Sequence, residues 1–146
     1  MAVFTSNSFG SLLSSALKYT LGAGVVSAFI NTILFAAARI PAEELMVQRG
    51  TQLEQIGFSQ VIVASIVPAL IAGLVFAVIA KYLPNPFLYF NIIAALVFIW
   101  MFFGPLNNLA NPSNKALIVL EIMHVVVGSA ILYVLNNLWG APQKES

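Results

Sequence analysis

The sequence contains no cysteine, no aspartate and only one histidine among its 146 residues. The absence of cysteine excludes disulfides, iron–sulfur ligation, thiol redox chemistry and structural zinc. A membrane oxidoreductase of the disulfide-forming kind is therefore excluded. Charge is also scarce, because 8% of the residues are charged against roughly 25% in an ordinary soluble domain. The net charge of +1 provides no basic face that could attract nucleic acid, so nucleic-acid binding is set aside.

Apolar residues make up 60% of the chain, which is typical of a membrane protein. A helix needs roughly 20 apolar residues to cross a hydrocarbon core about 30 Å thick. Four segments meet this length: 17–38, 58–80, 86–106 and 114–136. We therefore predict a single membrane domain over residues 1–146. Its fold class is an all-α membrane protein, an antiparallel four-transmembrane-helix bundle with short connections and one longer polar loop at about 39–57.

The first 20 residues lack the positive region that precedes the apolar part of a cleaved signal peptide. We expect them to form a short interfacial lead-in to the first span. An even number of spans places both termini on the same side. Basic residues do not decide which side, because Lys18, Lys81 and Lys144 lie on one and Arg39, Arg49 and Lys115 on the other. Three glutamates in the long loop favour an external loop and cytoplasmic termini.

Proline and serine mark the connections. Ile40-Pro41 is expected to end the first helix, and "LPNP" at 83–86 predicts a tight turn between antiparallel helices. Ser113 or Asn114 can cap the last helix.

The long loop allows two interpretations. One is a helix that begins at Pro41, and the other is a hairpin in which 45–47 and 51–53 fold back about Arg49-Gly50. Functionally the loop is either a solvated cap over the bundle or a docking surface for a partner.

Polar side chains inside the spans are few, and three helices are expected to bring theirs to a similar depth. Counted at 1.5 Å per residue from the face that carries the long loop, Asn31 and Ser65 lie about 12 Å deep, and Glu121 and His124 about 10 and 15 Å. We therefore predict one buried polar site composed of Asn31, Ser65, Glu121 and His124. Asn91 lies near the opposite face and is not expected to join it.

The helical periodicity gives each of the first, second and fourth spans a predicted inward face. These faces comprise Gly24, Ala28, Asn31, Phe35 and Ala38; Val61, Ser65, Pro68 and Ala72; and Leu117, Glu121, His124, Gly128 and Leu132. Small residues among them allow close helix packing. Pro68 has no amide N–H to pair with the Ala64 carbonyl, so this carbonyl is a further hydrogen-bond acceptor near the predicted polar site.

The pair of Glu121 and His124 has several possible roles. In the structural one, His124 donates to Glu121 or Asn31 and holds the helices in register. In the others, the pair carries a proton or a cation, or His124 ligates haem or the magnesium of a pigment.

Complete catalytic or metal motifs are missing. Glu-x-x-His is half of a di-iron motif, but the first three spans contain no Asp, Glu or His to complete it. A bis-histidine haem fails in a monomer that has one histidine. A serine hydrolase built on Ser65 and His124 would lack an oxyanion hole and a water path. We therefore predict no catalytic residue, no cofactor and no metal, with His124 as the one weak alternative for a metal.

"VIVASIVPALIAGLVFAVIAKYL" in the second span and "ALIVLEIMHVVVGSAILYVL" in the fourth resemble a family of small bacterial four-helix integral membrane proteins that is classed as a domain of unknown function. Asn31, the Pro-Ala-Leu at 68–70 and Met123-His124 fit its pattern, whereas Glu121 has no place in it. The resemblance covers about residues 17–138 and implies the topology, in a bacterial inner membrane, but no reaction.

These observations favour a non-enzymatic integral membrane protein that is an accessory or structural component of a membrane assembly. Its partners would be the lipid bilayer and a larger membrane complex or further copies of the chain. The alternatives are a small proton-coupled or cation-coupled transporter or channel that uses the buried polar layer, and a haem-binding or pigment-binding subunit.

Overall fold

The computed structural model describes residues 8–49, 51–110 and 112–138. Most of them belong to four helices, α1 (Phe9–Ala38), α2 (Phe58–Tyr82), α3 (Pro86–Asn108) and α4 (Asn114–Tyr133). Each of the four is long and apolar enough to cross a membrane. The predicted fold class, an all-α membrane protein with four spans, is therefore confirmed, and the chain has the features of a multi-pass membrane protein.

The first helix is longer than predicted. It begins at Phe9, where the Ser8 side chain caps it by accepting a hydrogen bond of 3.2 Å from the Ser11 amide. The segment that we expected to be an interfacial lead-in is, from Phe9 onward, part of the helix. With 30 residues, α1 is about 45 Å long, which exceeds the hydrocarbon thickness of about 30 Å.

The four helices border one another in cyclic order. The interface of α1 with α2 is the most extensive, α1 also contacts α4, and α3 contacts α4 and α2. Most residues buried on α1 and α2 are small, so their backbones approach closely. A Cβ atom added at Gly73 of α2 would collide with the Thr20 hydroxyl of α1, which donates a hydrogen bond of 3.0 Å to the Ala16 carbonyl.

The third helix is the most exposed of the four. Of its described side chains only Pro86 and Phe90 are buried, and Trp100 is 80% exposed. Near the α2–α3 turn, the Phe90 ring packs edge to face on Phe76 of α2, with ring centroids 5.2 Å apart. Farther along α3, the Phe98 ring lies against Gly128 of α4. A Cβ atom at this position would collide with the ring.

The long loop forms a hairpin. A 3₁₀ turn, Ala42–Leu45, leads into two antiparallel strands, β1 (Met46–Arg49) and β2 (Gln52–Gln55), in which Met46 pairs with Gln55 and Arg49 with Gln52. The hairpin interpretation is confirmed, although the strands are 46–49 and 52–55 and not the predicted 45–47 and 51–53. The helical interpretation is limited to the single 3₁₀ turn.

Hydrogen bonds fasten this hairpin to the connection between α3 and α4. The Ala110 amide donates to the Met46 carbonyl over 2.9 Å, and Val47 forms an antiparallel bridge with Leu109. Ser113 caps α4 as predicted by accepting from the Ala116 amide over 3.1 Å, and its hydroxyl also donates to the Glu44 carboxylate. The loops on this face of the bundle therefore form one connected layer.

Asn91 lies apart from the predicted polar layer, as expected. It exchanges two amide hydrogen bonds of 3.2 and 3.1 Å with Asn136, which belongs to a π-helical turn, Val134–Leu138, that continues α4. This pair joins α3 to the end of α4 on the face opposite the hairpin.

Arg39, immediately after α1, has a left-handed backbone with φ of 48°. This conformation costs a residue with a Cβ atom about 1–2 kcal/mol and costs glycine almost nothing. Glycine also has more entropy in the unfolded chain, which offsets part of this gain. We therefore expect Arg39→Gly to raise the free energy of unfolding by a net amount of about 0.5–1 kcal/mol. Reversible unfolding with sodium dodecyl sulfate would measure it. Arg39→Ala is the control, since it removes the guanidinium but keeps the strain; an equal gain in both variants would contradict the explanation.

Candidate functional site

Asn31 joins three helices in the middle of the bundle. From α1, its side-chain Nδ2 donates one hydrogen bond of 3.1 Å to Ser65 Oγ on α2 and another of 3.1 Å to the Met123 carbonyl oxygen on α4. Both Asn31 and Ser65 are 1% exposed. A primary amide has two N–H groups, so both donors of Asn31 are used.

The single donor of the Ser65 hydroxyl is also used. It donates over 2.9 Å to the Val61 carbonyl, one turn earlier in α2, and it accepts from Asn31. Gly24 makes this geometry possible, because a Cβ atom there would lie 3.0 Å from Ala69 Cβ and 3.2 Å from Ile66 Cα. The close approach of α1 and α2 therefore positions the two polar side chains within hydrogen-bond distance.

A cavity of about 690 Å³ borders this polar group. Its inner end is formed by Asn31, Ser65 and Pro68 on one side and His124 and Val127 of α4 on the other. The hairpin and the start of α2 surround its outer end, and Met101 of α3 contributes to the wall.

One side of the cavity opens outward between α2 and α3. Val63 and Val67 of α2 line it there and are 57% and 45% exposed. Both lie within a helix that is long and apolar enough to cross a membrane, so we expect this side to face the hydrocarbon region.

One ring nitrogen of His124 has no hydrogen-bond partner among the described residues. Its Nδ1 lies 2.7 Å from the Leu120 carbonyl oxygen, and a carbonyl oxygen can only accept, so Nδ1 carries the proton. In the neutral imidazole, Nε2 is then an acceptor with an unused lone pair. His124 thus offers the cavity an acceptor and has no role as a donor to Asn31 or Glu121.

Glu121 is not in this cavity. It lines a second, smaller concavity of about 390 Å³ between α3 and α4, together with six apolar residues, Phe102, Phe103, Leu117, Ile118, Ile122 and Val125. Its Oε2 atom is buried and has no hydrogen-bond partner among the described residues. The structure thus divides the predicted site: Asn31, Ser65 and His124 border one cavity, and Glu121 borders another.

The predicted inward face of α4 is wrong: the buried residues lie one position earlier in the sequence, which corresponds to a rotation of about 100° around the helix axis. The buried residues of this helix are Ala116, Leu120, Met123, Val127 and Ile131. The residues that we expected to point inward, Leu117, Glu121, His124, Gly128 and Leu132, are only partly buried and flank that seam. The helix turns its apolar seam toward the bundle interior, which leaves Glu121 on the α3 side and His124 on the α2 side.

Sequence reasoning missed two contributors to the buried layer. The Met123 carbonyl, which accepts from Asn31, is a backbone atom, and no side-chain pattern marks it. Ser27 is fully buried on α1, and its hydroxyl has no partner among the described residues. Its position four residues before Asn31 on the same helical face is the signal that could have identified it.

The described residues form no multidentate metal site. Among the described residues, no group of three or more His, Asp or Glu side chains could hold a metal ion. Among the described residues that line the cavity, His124 Nε2 is a nitrogen that could ligate a cofactor. The sequence has no second histidine, which a bis-histidine haem requires.

The family of the chain follows from its match to a family model. Residues 13–139 match a family of unknown function, DUF6069. The chain belongs to DUF6069. The match includes residues of all four helices, so the predicted resemblance to a family of unknown function is confirmed. This DUF6069 chain has the four membrane-length helices and the Asn31–Ser65 hydrogen bond described above. No curated protein and no solved structure matches the chain.

Proposed function

We propose that this chain is a non-enzymatic component of a membrane assembly in the cell membrane of a bacterium, with both termini in the cytoplasm. The observation that carries the proposal is the position of Glu121. Its carboxyl group lies in an apolar groove on the outside of the bundle, and its Oε2 atom has no donor among the described residues.

A carboxyl oxygen without a hydrogen-bond donor is costly at this depth. Insertion scales give at least ~2.5 kcal/mol for an acidic residue at the centre of a membrane helix, and such residues usually pair with another polar group. A donor from a neighbouring transmembrane helix, such as a lysine, arginine or asparagine side chain, would offset this cost. The exposed aromatic side of α3, which forms the other wall of the groove, provides the surrounding contact surface.

The same position weakens the transporter alternative. A proton relay through Glu121 and His124 would need both groups on one path, whereas they line separate concavities. A partner-facing carboxyl group therefore accounts for Glu121 more directly than a conduction pathway does.

Site-specific cross-linking in native membranes tests the proposal. The chain has no cysteine, so a single added cysteine is its one attachment point for a thiol-reactive benzophenone photocross-linker, and adducts are scored on the tagged, purified chain. We expect Ile122→Cys, in the groove, to give one protein adduct of defined mass, either with a second copy or with another membrane protein. Val25→Cys on α1 is the matched control, because its side chain has a similar exposed fraction, 52% against 46%, and lies outside the groove.

Adding Glu121→Gln to the Ile122→Cys chain tests the carboxyl group itself. We expect the adduct yield to fall about fivefold, as the loss of about 1 kcal/mol of charge-assisted hydrogen bonding predicts. Lipid adducts alone at Ile122, or equal protein adducts at Ile122 and Val25, would rule out the proposed contact.

A further inference from the structure

At its inner end, the cavity beside Asn31 offers hydrogen-bond acceptors but no unused side-chain donor among Asn31, Ser65 and His124. The two N–H groups of Asn31 are bonded to Ser65 and Met123, and the Ser65 hydroxyl donates to Val61. The Nδ1–H of His124 is bonded to Leu120. The donors of these three side chains are therefore all used within the protein.

Acceptors remain at the same place. Asn31 Oδ1 is buried and has no partner among the described residues. His124 Nε2 has a free lone pair, and Pro68 lacks the N–H that would otherwise pair with the Ala64 carbonyl. Asn31, Ala64 and His124 all border the cavity. A ligand that only accepts hydrogen bonds, such as an ester, a ketone or an ether, finds no side-chain donor at this end.

The shape of the cavity restricts the ligand further. Its volume of about 690 Å³ lies within the range of about 300–1,000 Å³ that is usual for small-molecule sites. The opening between α2 and α3 faces hydrocarbon, so a ligand would arrive from the bilayer. The lining is mostly apolar, with residues such as Val63, Val67 and Met101.

We propose that this cavity binds a neutral lipid-soluble alcohol, a molecule with an apolar chain and a terminal hydroxyl, whose O–H donates to His124 Nε2. Asn31 is almost completely covered, whereas His124 is only partly buried, so the imidazole is the acceptor that a ligand reaches first. Straight-chain alcohols and isoprenoid alcohols share this chemistry. The site is independent of the Glu121 groove and of any assembly that the groove supports.

Photolabelling of the full chain in lipid nanodiscs tests this inference. The probes are a twelve-carbon alcohol with a diazirine in its chain and the methyl ether of the same molecule, which cannot donate a hydrogen bond. We expect the alcohol to label peptides containing Val67, Met101 or Val127 about three- to tenfold more than the ether, as one net hydrogen bond predicts. Unlabelled dodecanol or farnesol should compete, and the stronger competitor identifies the straight-chain or isoprenoid source.

Three variants separate the site from general lipid contact. His124→Phe keeps an aromatic ring but removes the acceptor, so the alcohol should lose its advantage over the ether. Ile122→Phe, on the α3 side of the same helix, should leave the advantage unchanged. Val67→Phe narrows the opening without changing the acceptors and should reduce labelling by both probes.

Equal labelling by alcohol and ether in the wild-type chain, or competition by neither alcohol, would overturn the proposal. An alcohol preference that persists in a folded His124→Phe chain would also overturn it. Unfolding by sodium dodecyl sulfate checks that each variant is folded before it is labelled.

Discussion

Replacing Gly24 with alanine is expected to lower the free energy of unfolding by up to about 2 kcal/mol. Adding a methyl group to a closely packed interface costs about 1–3 kcal/mol, and the higher helix propensity of alanine offsets about 1 kcal/mol of it. The added Cβ atom would lie 3.0 Å from Ala69 Cβ and 3.2 Å from the backbone Cα atom of Ile66. Backbone atoms of α2 cannot rotate away, so the two helices must separate. The same separation would lengthen the hydrogen bond between Asn31 and Ser65.

Gly22 provides the matched control on the same helix. It is exposed, and a Cβ atom there meets nothing within 4 Å. Because alanine favours a helix over glycine by about 1 kcal/mol, Gly22→Ala should leave the stability unchanged or raise it slightly. Both variants can be compared by reversible unfolding with sodium dodecyl sulfate, followed by circular dichroism. Equal effects at the two positions would contradict the close packing of α1 on α2.

Asn31→Ala is expected to destabilise the bundle by about 2–4 kcal/mol, which combines the loss of two interhelical hydrogen bonds with the cavity left by the missing amide. The Ser65 hydroxyl keeps its bond to Val61 and the Met123 carbonyl stays within α4. The loss therefore falls on the contacts that join α1 to the other two helices. The same unfolding measurement detects it.

Asn91→Ala is the control for this substitution. Asn91 also takes part in two amide hydrogen bonds, but at an exposed position, so we expect a loss below about 1 kcal/mol. A double-mutant cycle of Asn31→Ala with Ser65→Ala isolates the coupling between the two side chains. A coupling energy near zero would show that the hydrogen bond contributes no stability.

The sequence predicted the helices and their connections well because those features depend on local chemistry. Uncharged apolar runs of sufficient length determine the spans, Pro41 and the prolines at 84 and 86 limit them, and Ser113 caps α4 through a contact within its own turn. The hairpin was one of two interpretations that the loop allowed, since its pairing depends on contacts between 46–49 and 52–55.

The rotation of α4 could not be predicted in the same way. In a membrane helix both the lipid side and the bundle side are apolar, so the hydrophobic pattern does not distinguish them. The periodicity places Glu121 on the inward face, whereas the buried residues at this level are Leu120, Met123 and Val127. The partner of Asn31 on this helix is a backbone carbonyl, which has the same chemistry at every residue and leaves no trace in the sequence.

The helices α2 and α3, which border the opening of the cavity, are attached to each other near both of their ends. At one end, α2 and α3 are joined by the tight turn at 83–85 and by the ring of Phe90 against Phe76. At the other, the hairpin before α2 is tied to the segment after α3 through Met46 and Ala110. The contacts between α2 and α3 are therefore concentrated at both ends of the gap. We expect the two helices to separate more easily near Val67 than at either attachment.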